Sequence, residues 1–204
     1  KGNYEFENVP LPKLSTQTSK IFMADFNGDS LKDMFLVGNV SYWDYTDNQP
    51  SYLFINKGNG IFEPAPQNML AGFEKIPFIK NIHLSDIDKN GKEDLVIAAE
   101  WQPLYIFLND GKQFKRLSSP ILDDLKGWWQ SVAVADLDMD GKADLIAGNW
   151  GINNKYNVTS TQALYAYNSD LDKDGKNDLI LSYSHNRKYY PFRPKNDLEQ
   201  ELSY

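Results

Sequence analysis

The chain has 204 residues, 41% of them hydrophobic, with 28 acidic against 21 basic side chains and no cysteine. That length suits one domain or two small ones, and 11 Phe, 12 Tyr and 5 Trp favour strands and a packed core over disorder. A net charge of -7 with no basic stripe argues against nucleic acid as a partner. The missing cysteines exclude disulfides and thiolate metal sites, and no apolar run approaches the roughly 18 residues of a membrane-spanning helix.

Taken in chain order, Ile21-Phe-Met-Ala24 reads as a strand, followed by the acidic stretch Asp25-Phe-Asn27-Gly-Asp29-Ser-Leu-Lys-Asp33 and a second strand, Met34-Phe-Leu-Val37. Tyr52-Leu-Phe-Ile-Asn56 then leads through a Gly-containing tight turn to Phe62, a strand–turn–strand whose turn needs the positive φ that Gly and Asn accept. The pattern repeats. Ile82-His-Leu-Ser85 precedes Asp86-Ile-Asp88-Lys-Asn90-Gly-Lys-Glu-Asp94, Leu95-Val-Ile-Ala98 follows it, and Tyr105 to Phe114 repeats the second strand pair. A third copy runs Val132–Ala135, Asp136-Leu-Asp138-Met-Asp140-Gly-Lys-Ala-Asp144, Leu145–Gly148. The fourth runs Leu164–Tyr167, Asp170-Leu-Asp172-Lys-Asp174-Gly-Lys-Asn-Asp178, Leu179–Ser182. Beyond it lie a basic-aromatic turn over 184–193 and the start of a helix, with Asn196 or Asp197 as N-cap.

Each acidic stretch places an Asp or Asn oxygen at its first, third, fifth and ninth positions, and 14 Asp, out of 28 acidic residues in the chain, fall in these four loops. Oxygen donors at that spacing suit a hard cation, and the six to eight ligands that calcium takes suit it best. A single Asp/Asn/Gly cluster is an ordinary turn, whereas four copies with one set of offsets point to metal. An EF-hand is excluded, because Leu36, Ile97, Ala147 and Leu181 stand where its bidentate Glu belongs. Up to four structural Ca2+ are expected, and they would bring the chain close to neutral. The apolar second residue of each loop (Phe26, Ile87, Leu137, Leu171) is expected to tuck into the core. The first loop carries Ser30 where the others have Gly91, Gly141 and Gly175, so its turn is expected to be strained.

Strand, loop, strand, connection, strand, turn, strand is the content of one propeller blade. The loops begin at 25, 86, 136 and 170, so the last interval is too short for a whole unit. Leu164–Asn168 is expected to serve both the third unit and the fourth loop. The fold expected is all-β: a partial β-propeller of three to four blades of four antiparallel strands, with Ca2+ loops between strands. Residues 1–204 are read as one propeller segment of a larger propeller.

The run Asp-x-Asn-Gly-Asp-x-x-x-Asp, its hydrophobic sequel and Leu53-Phe-Ile-Asn-Lys-Gly-Asn-Gly-Ile-Phe62 resemble the FG-GAP/VCBS repeat family over roughly residues 15–185. The resemblance implies a β-propeller related to the integrin α-subunit head, with Ca2+ in the loop joining neighbouring strands. By position it implies side-chain ligands at Asp25, Asn27, Asp29 and Asp33; Asp86, Asp88, Asn90 and Asp94; Asp136, Asp138, Asp140 and Asp144; Asp170, Asp172, Asp174 and Asp178. It adds the backbone carbonyls of Leu31, Lys92, Lys142 and Lys176. The literal Phe-Gly and Gly-Ala-Pro signatures are absent, which sets the chain apart from an integrin-like ligand mode. The segment 148–156 and Tyr190-Pro-Phe-Arg193 look like exported bacterial members.

For catalysis the sequence offers little. His83 alternates with apolar Ile82 and Leu84 as a strand residue does, His185 sits in the basic-aromatic turn, and most acids are taken by the loops. Trp43 and Trp128 are the candidates for stacking on a ligand, while Trp101 and Trp150 are expected in the core or between blades. The function expected is a calcium-stabilised interaction or adhesion module binding a protein or carbohydrate; a polysaccharide-degrading enzyme and a structural spacer are the alternatives. Weak calcium modules work at about 10⁻⁴–10⁻³ M, which the cytosol does not offer. With Lys1-Gly2-Asn3 at its start and no signal peptide, the chain is therefore expected to be a mature or trimmed exported one. Extracellular, cell-surface and periplasmic settings all fit, with any tether lying in parts outside this chain.

Overall fold

Every acidic loop closes a β-hairpin. The ninth residue opens the following strand and pairs with the last residue of the preceding one: Ala24 with Asp33, Ser85 with Asp94, Ser169 with Asp178. The computed structural model describes residues 14, 17–41, 45, 47–151, 155–156, 158–159 and 162–202. The chain divides into two compact units, 1–39 with 49–148 and 40–48 with 149–204.

In the first unit, β1 (Thr18–Ala24), β2 (Asp33–Gly38), β3 (Tyr52–Asn56) and β4 (Phe62–Pro64) form an antiparallel sheet in sequence order. β5 (Ile79–Ser85), β6 (Asp94–Gln102), β7 (Tyr105–Asn109) and β8 (Phe114–Leu117) repeat that order. β6 is long enough to serve two neighbours. Its first part pairs with β5 and β7, and Glu100 and Gln102 pair with Trp128 and Gly127 of β9 (Gly127–Ala135), which lies beside β10 (Asp144–Asn149). A bulge between Glu100 and Gln102, with Trp101 at φ 64°, marks the change of partner. A short helix, α1 (Pro120–Asp124), precedes β9. Its signal was Ser119-Pro120: the Ser119 hydroxyl accepts the Leu122 N–H at 3.2 Å, and proline fits the first helical position.

β2 and the first six residues of β6 are buried along their whole length, as strands covered on both faces are. Between them sits an aromatic cluster. Phe73, in the turn Phe73–Lys75 that connects the first sheet to the second, meets Phe35, Phe107 and Phe114 edge-on at 5.1, 5.7 and 5.2 Å, and Phe114 meets Phe26 at 5.9 Å. Leu95, Ile97, Val37 and Ile55 fill the same core.

The second unit holds β11 (Leu164–Ser169), β12 (Asp178–His185) and β13 (Lys188–Pro191), antiparallel in that order, and α2 (Lys195–Glu201). Among the described residues β11 pairs only within this sheet, so it belongs to the fourth loop's hairpin rather than to two units. Within the basic-aromatic stretch 184–193, Asn186 and Arg187, at φ 50° and 60°, make the tight turn between β12 and β13. α2 begins with Pro194 at its cap, two residues before the expected site, and Asp197 lies in its first turn where a carboxylate favours the helix N-terminus. With 47% strand and 10% helix the fold is all-β, and its antiparallel sheets are those of a partial β-propeller.

Candidate metal centres

The four loops share one internal wiring. The first-position Asp accepts the sixth-position N–H: Ser30 to Asp25 at 2.8 Å, Gly91 to Asp86 at 2.9 Å, Gly141 to Asp136 at 2.9 Å and Gly175 to Asp170 at 3.1 Å. The third-position side chain accepts the fifth-position N–H, as Asp138 does from Asp140 at 3.1 Å and Asp172 from Asp174 at 3.1 Å. The fifth accepts the N–H of the seventh: Leu31 to Asp29, Lys92 to Asn90, Lys142 to Asp140 and Lys176 to Asp174, all at 2.7–2.8 Å. Finally the ninth reaches back to the second, so that Asp33, Asp94, Asp144 and Asp178 accept from Phe26, Ile87, Leu137 and Leu171 at 2.8–2.9 Å. Asp and Asn at alternate positions are what such side-chain-to-backbone turns require.

Positions four and six of each loop are left-handed. The first loop puts glycine at the fourth (Gly28, φ 79°) and serine at the sixth (Ser30, φ 71°). The others reverse this, with Lys89, Met139 and Lys173 at φ 61–64° and Gly91, Gly141 and Gly175 at φ 82–89°. Each loop thus holds one non-glycine residue in that region. The extra strain expected of the first loop is absent, because Gly28 offsets Ser30.

Three carboxylates converge in loops two, three and four: Asp86, Asp88 and Asp94; Asp136, Asp138 and Asp144; Asp170, Asp172 and Asp178. One oxygen from each lies within 4.8 Å of the other two. Ligands at 2.3–2.6 Å from a shared calcium are at most about 5 Å apart, so each set fits one ion. Asp170 adds a second sign: its Oδ1 is shielded from solvent and accepts no hydrogen bond, an acceptor that a cation would satisfy. Brought together are positions one, three and nine; the first loop offers Asp25, Asn27 and Asp33 there. Position five turns elsewhere. Asp140 and Asp174 face the ammonium groups of Lys142 and Lys176 at 2.9 and 4.0 Å, and Asn90 donates to Asp88 at 3.1 Å.

Such a loop, repeated along an all-β chain, is what repeat-family comparison tests. A model of the FG-GAP-like repeat matches residues 25–97 and 86–147, and one of the FG-GAP repeat matches 128–167. The chain belongs to the FG-GAP-like repeat family. No curated protein sequence matches it. The matched segments contain the first three FG-GAP loops, while the fourth, at 170–178, rests on its own residues and its Asp triad.

Among the described residues, loops one and two carry support that loops three and four lack. The Asp33 Oδ1 also accepts the Asn56 N–H at 2.8 Å, and the Asp94 Oδ1 the Asn109 N–H at 2.7 Å. Both aspartates are fully buried, and burial pushes their carboxyls above the ordinary Asp value, opposed by these same N–H groups. Asp29 is held below the ordinary value, first by the Asn27 amide and then by the Leu31 N–H; Asp140 is lowered by the Lys142 ammonium and N–H. Among the described residues no second backbone donor reaches Asp144 or Asp178, which are half-buried. In the sequence Asn56 and Asn109 stand at matching places in the two strand–turn–strand repeats, each two residues before a turn glycine. Their role as clamps on the ninth position needed β3 and β7 to be placed beside the FG-GAP loops.

Of the tryptophans, Trp43 lies outside the described residues. Trp128 is half-buried and meets Trp101 edge-on at 4.8 Å. Trp150, expected inside, is 54% exposed. His83 sits within β5 opposite Val96, and His185 pairs with Lys188 at the β12–β13 turn.

Proposed function

We propose that this chain is a calcium-fastened propeller module of an exported protein, which binds a protein or carbohydrate partner and has no catalytic role. The carrying observation is the set of carboxylate triads, each at the closed end of a hairpin in an FG-GAP-repeat chain. Asp86, Asp88 and Asp94 and their counterparts at positions one, three and nine would hold the ion. The carbonyls of Leu31, Lys92, Lys142 and Lys176 would add to its oxygen shell, and the fifth-position side chains would join it by turning away from the partners they face here.

The ion supplies positive charge. Two carboxylates 4 Å apart repel by about 4 kcal/mol at an effective dielectric of 20, and a dication reverses the sign of that term while tying one strand end to the next. Magnesium is a poorer match, since it demands a smaller octahedral shell and keeps its waters. FG-GAP repeats are typically extracellular and generally non-enzymatic, which supports the export and binding reading. No described helix is long and apolar enough to cross a membrane.

Thermal unfolding in Ca2+ and then in EDTA tests the metal. At a tenfold excess over Kd one site adds about 1.4 kcal/mol, or a rise of about 3–6 °C for a chain of this size. An unchanged melting temperature sinks the calcium reading. Glycan-array and protein-panel binding, each run in Ca2+ and in EDTA, tests the rest, and turnover of a polysaccharide by the purified chain would overturn the non-enzymatic assignment.

A further inference from the structure

Asn109 is a fully buried amide whose every hydrogen-bonding group is used, and it touches two loops. Towards loop two, its N–H donates to Asp94, its carbonyl accepts from the Asn90 amide at 2.8 Å, and its Nδ2 donates to the Glu93 carbonyl at 3.2 Å. Its Oδ1 accepts the Gly111 N–H at 2.8 Å, which fixes the rotamer. The second proton of Nδ2 goes to the Phe26 carbonyl of loop one, 83 residues away, at 3.0 Å. Phe26 in turn donates its N–H to Asp33 at 2.9 Å. Hydrogen bonds joined through the residues Phe26 and Asn109 therefore lead from Asp33 to Asp94 and Asn90.

Asn56 shows that this line is not a by-product of the repeat. It makes the matching bonds in its own sheet, to Asp33, to the Lys32 carbonyl at 3.0 Å and from the Gly58 N–H at 2.8 Å. Among the described residues it has no bond to another acidic loop. The two loops meet at a second place as well: a Cβ built on Gly28 of loop one would collide with the ammonium of Lys92 of loop two.

We propose that Asn109 is a positioning residue that couples the first two loops, so that a cation bound in one tightens binding in the other. The inference rests on the calcium reading above. In either loop the ion must hold the ninth-position Asp in one orientation, and that orientation fixes the Phe26 peptide on one side and the Asn109 peptide on the other. Ordering one end of the line leaves less to be ordered when the second ion arrives, which is positive coupling without a change of fold.

Calorimetric Ca2+ titration decides, in a chain whose third and fourth loops are disabled by D136A and D170A. D86A then reports loop one alone and D25A loop two alone. The coupling factor is the overall two-ion binding constant of the two-loop chain divided by the product of the two single-loop constants. We expect a factor of about five or more, the range usual for coupled sites. It should fall to about one in Asn109→Ala and in Asn109→Asp, which keeps the shape and the acceptor for Gly111 but loses both amide donors. Asn56→Ala should weaken loop one yet leave the factor intact. A factor of one in the parent chain, or a factor that survives in a folded Asn109 variant, overturns the proposal. A chain that takes up no Ca2+ in either loop overturns the calcium reading and this proposal with it, whereas two independent sites overturn the coupling alone.

Discussion

Loops one and two are built into a core, whereas loops three and four are held mainly by their own backbone. The sequences are nearly interchangeable, and the internal wiring is the same in all four. What differs is what lies against them. Phe26 is 1% exposed and packed on Phe114, while Leu137 and Leu171, at the same position, are 60% and 39% exposed. Asp33 and Asp94 are sealed and clamped from a third strand; Asp144 and Asp178 are half-buried and, among the described residues, accept one backbone N–H each. A repeated loop is thus a fixed local device whose stability is set by its neighbours, as expected of repeat architectures in which each unit draws on the next.

The largest expected effect separates the two pairs most sharply. Phe26→Ala should cost about 3–5 kcal/mol, the usual range for an aromatic removed from a core. Leu137→Ala should lie within about 0.5 kcal/mol of the parent, because little is buried there. Urea denaturation in EDTA measures both without contribution from the ion. Equal losses would mean that the third loop has a packed partner after all.

Next in size is the ninth position. Asp94→Ala leaves the N–H groups of Ile87 and Asn109 without their acceptor, the second of them buried. Relief from burying a carboxylate returns part of that cost, so a net loss of about 2 kcal/mol is expected in EDTA. Asp144→Ala strands only the exposed Leu137 N–H, which water can serve, and about 1 kcal/mol or less is expected. Should Asp144→Ala prove as costly as Asp94→Ala, the clamp from the third strand would contribute nothing.

The strands and loops were legible because both are local. A nine-residue ladder of Asp and Asn closes on its own N–H groups, and the alternation of apolar runs around it needs no tertiary partner to be recognised. Burial was not legible. Nothing in Leu137 or Leu171 distinguishes them from Phe26 or Ile87, since the difference lies in which strands come to rest beside them. Trp150 misled for the same reason: an apolar strand before it says nothing of what covers it. Asn109 was hidden more deeply. Its spacing from Gly111 announces a turn, and the bond that matters most spans 83 residues. The short helix at Pro120 could have been read from Ser119-Pro120, a signal of cap and first turn that the surrounding strands overshadowed.

The smallest effect should erase the contrast rather than widen it. Ser30 and Met139 are the non-glycine residues held at φ 71° and 61° in loops one and three, and Met139 is 88% exposed. A side chain in that region costs roughly 1–2 kcal/mol, and glycine returns part of the gain through its freer unfolded chain, so Ser30→Gly and Met139→Gly should each stabilise by about 0.5–1 kcal/mol. Matching gains, read as shifts in urea midpoint at constant slope, would show that backbone strain is shared evenly and that packing alone divides the loops. A gain several times larger at Ser30 would restore a strained first loop. Giving loop one the full pattern of its siblings asks more, because a side chain at Gly28 would displace the flexible end of Lys92 from loop two and take on the left-handed φ that Lys89, Met139 and Lys173 carry in the other loops.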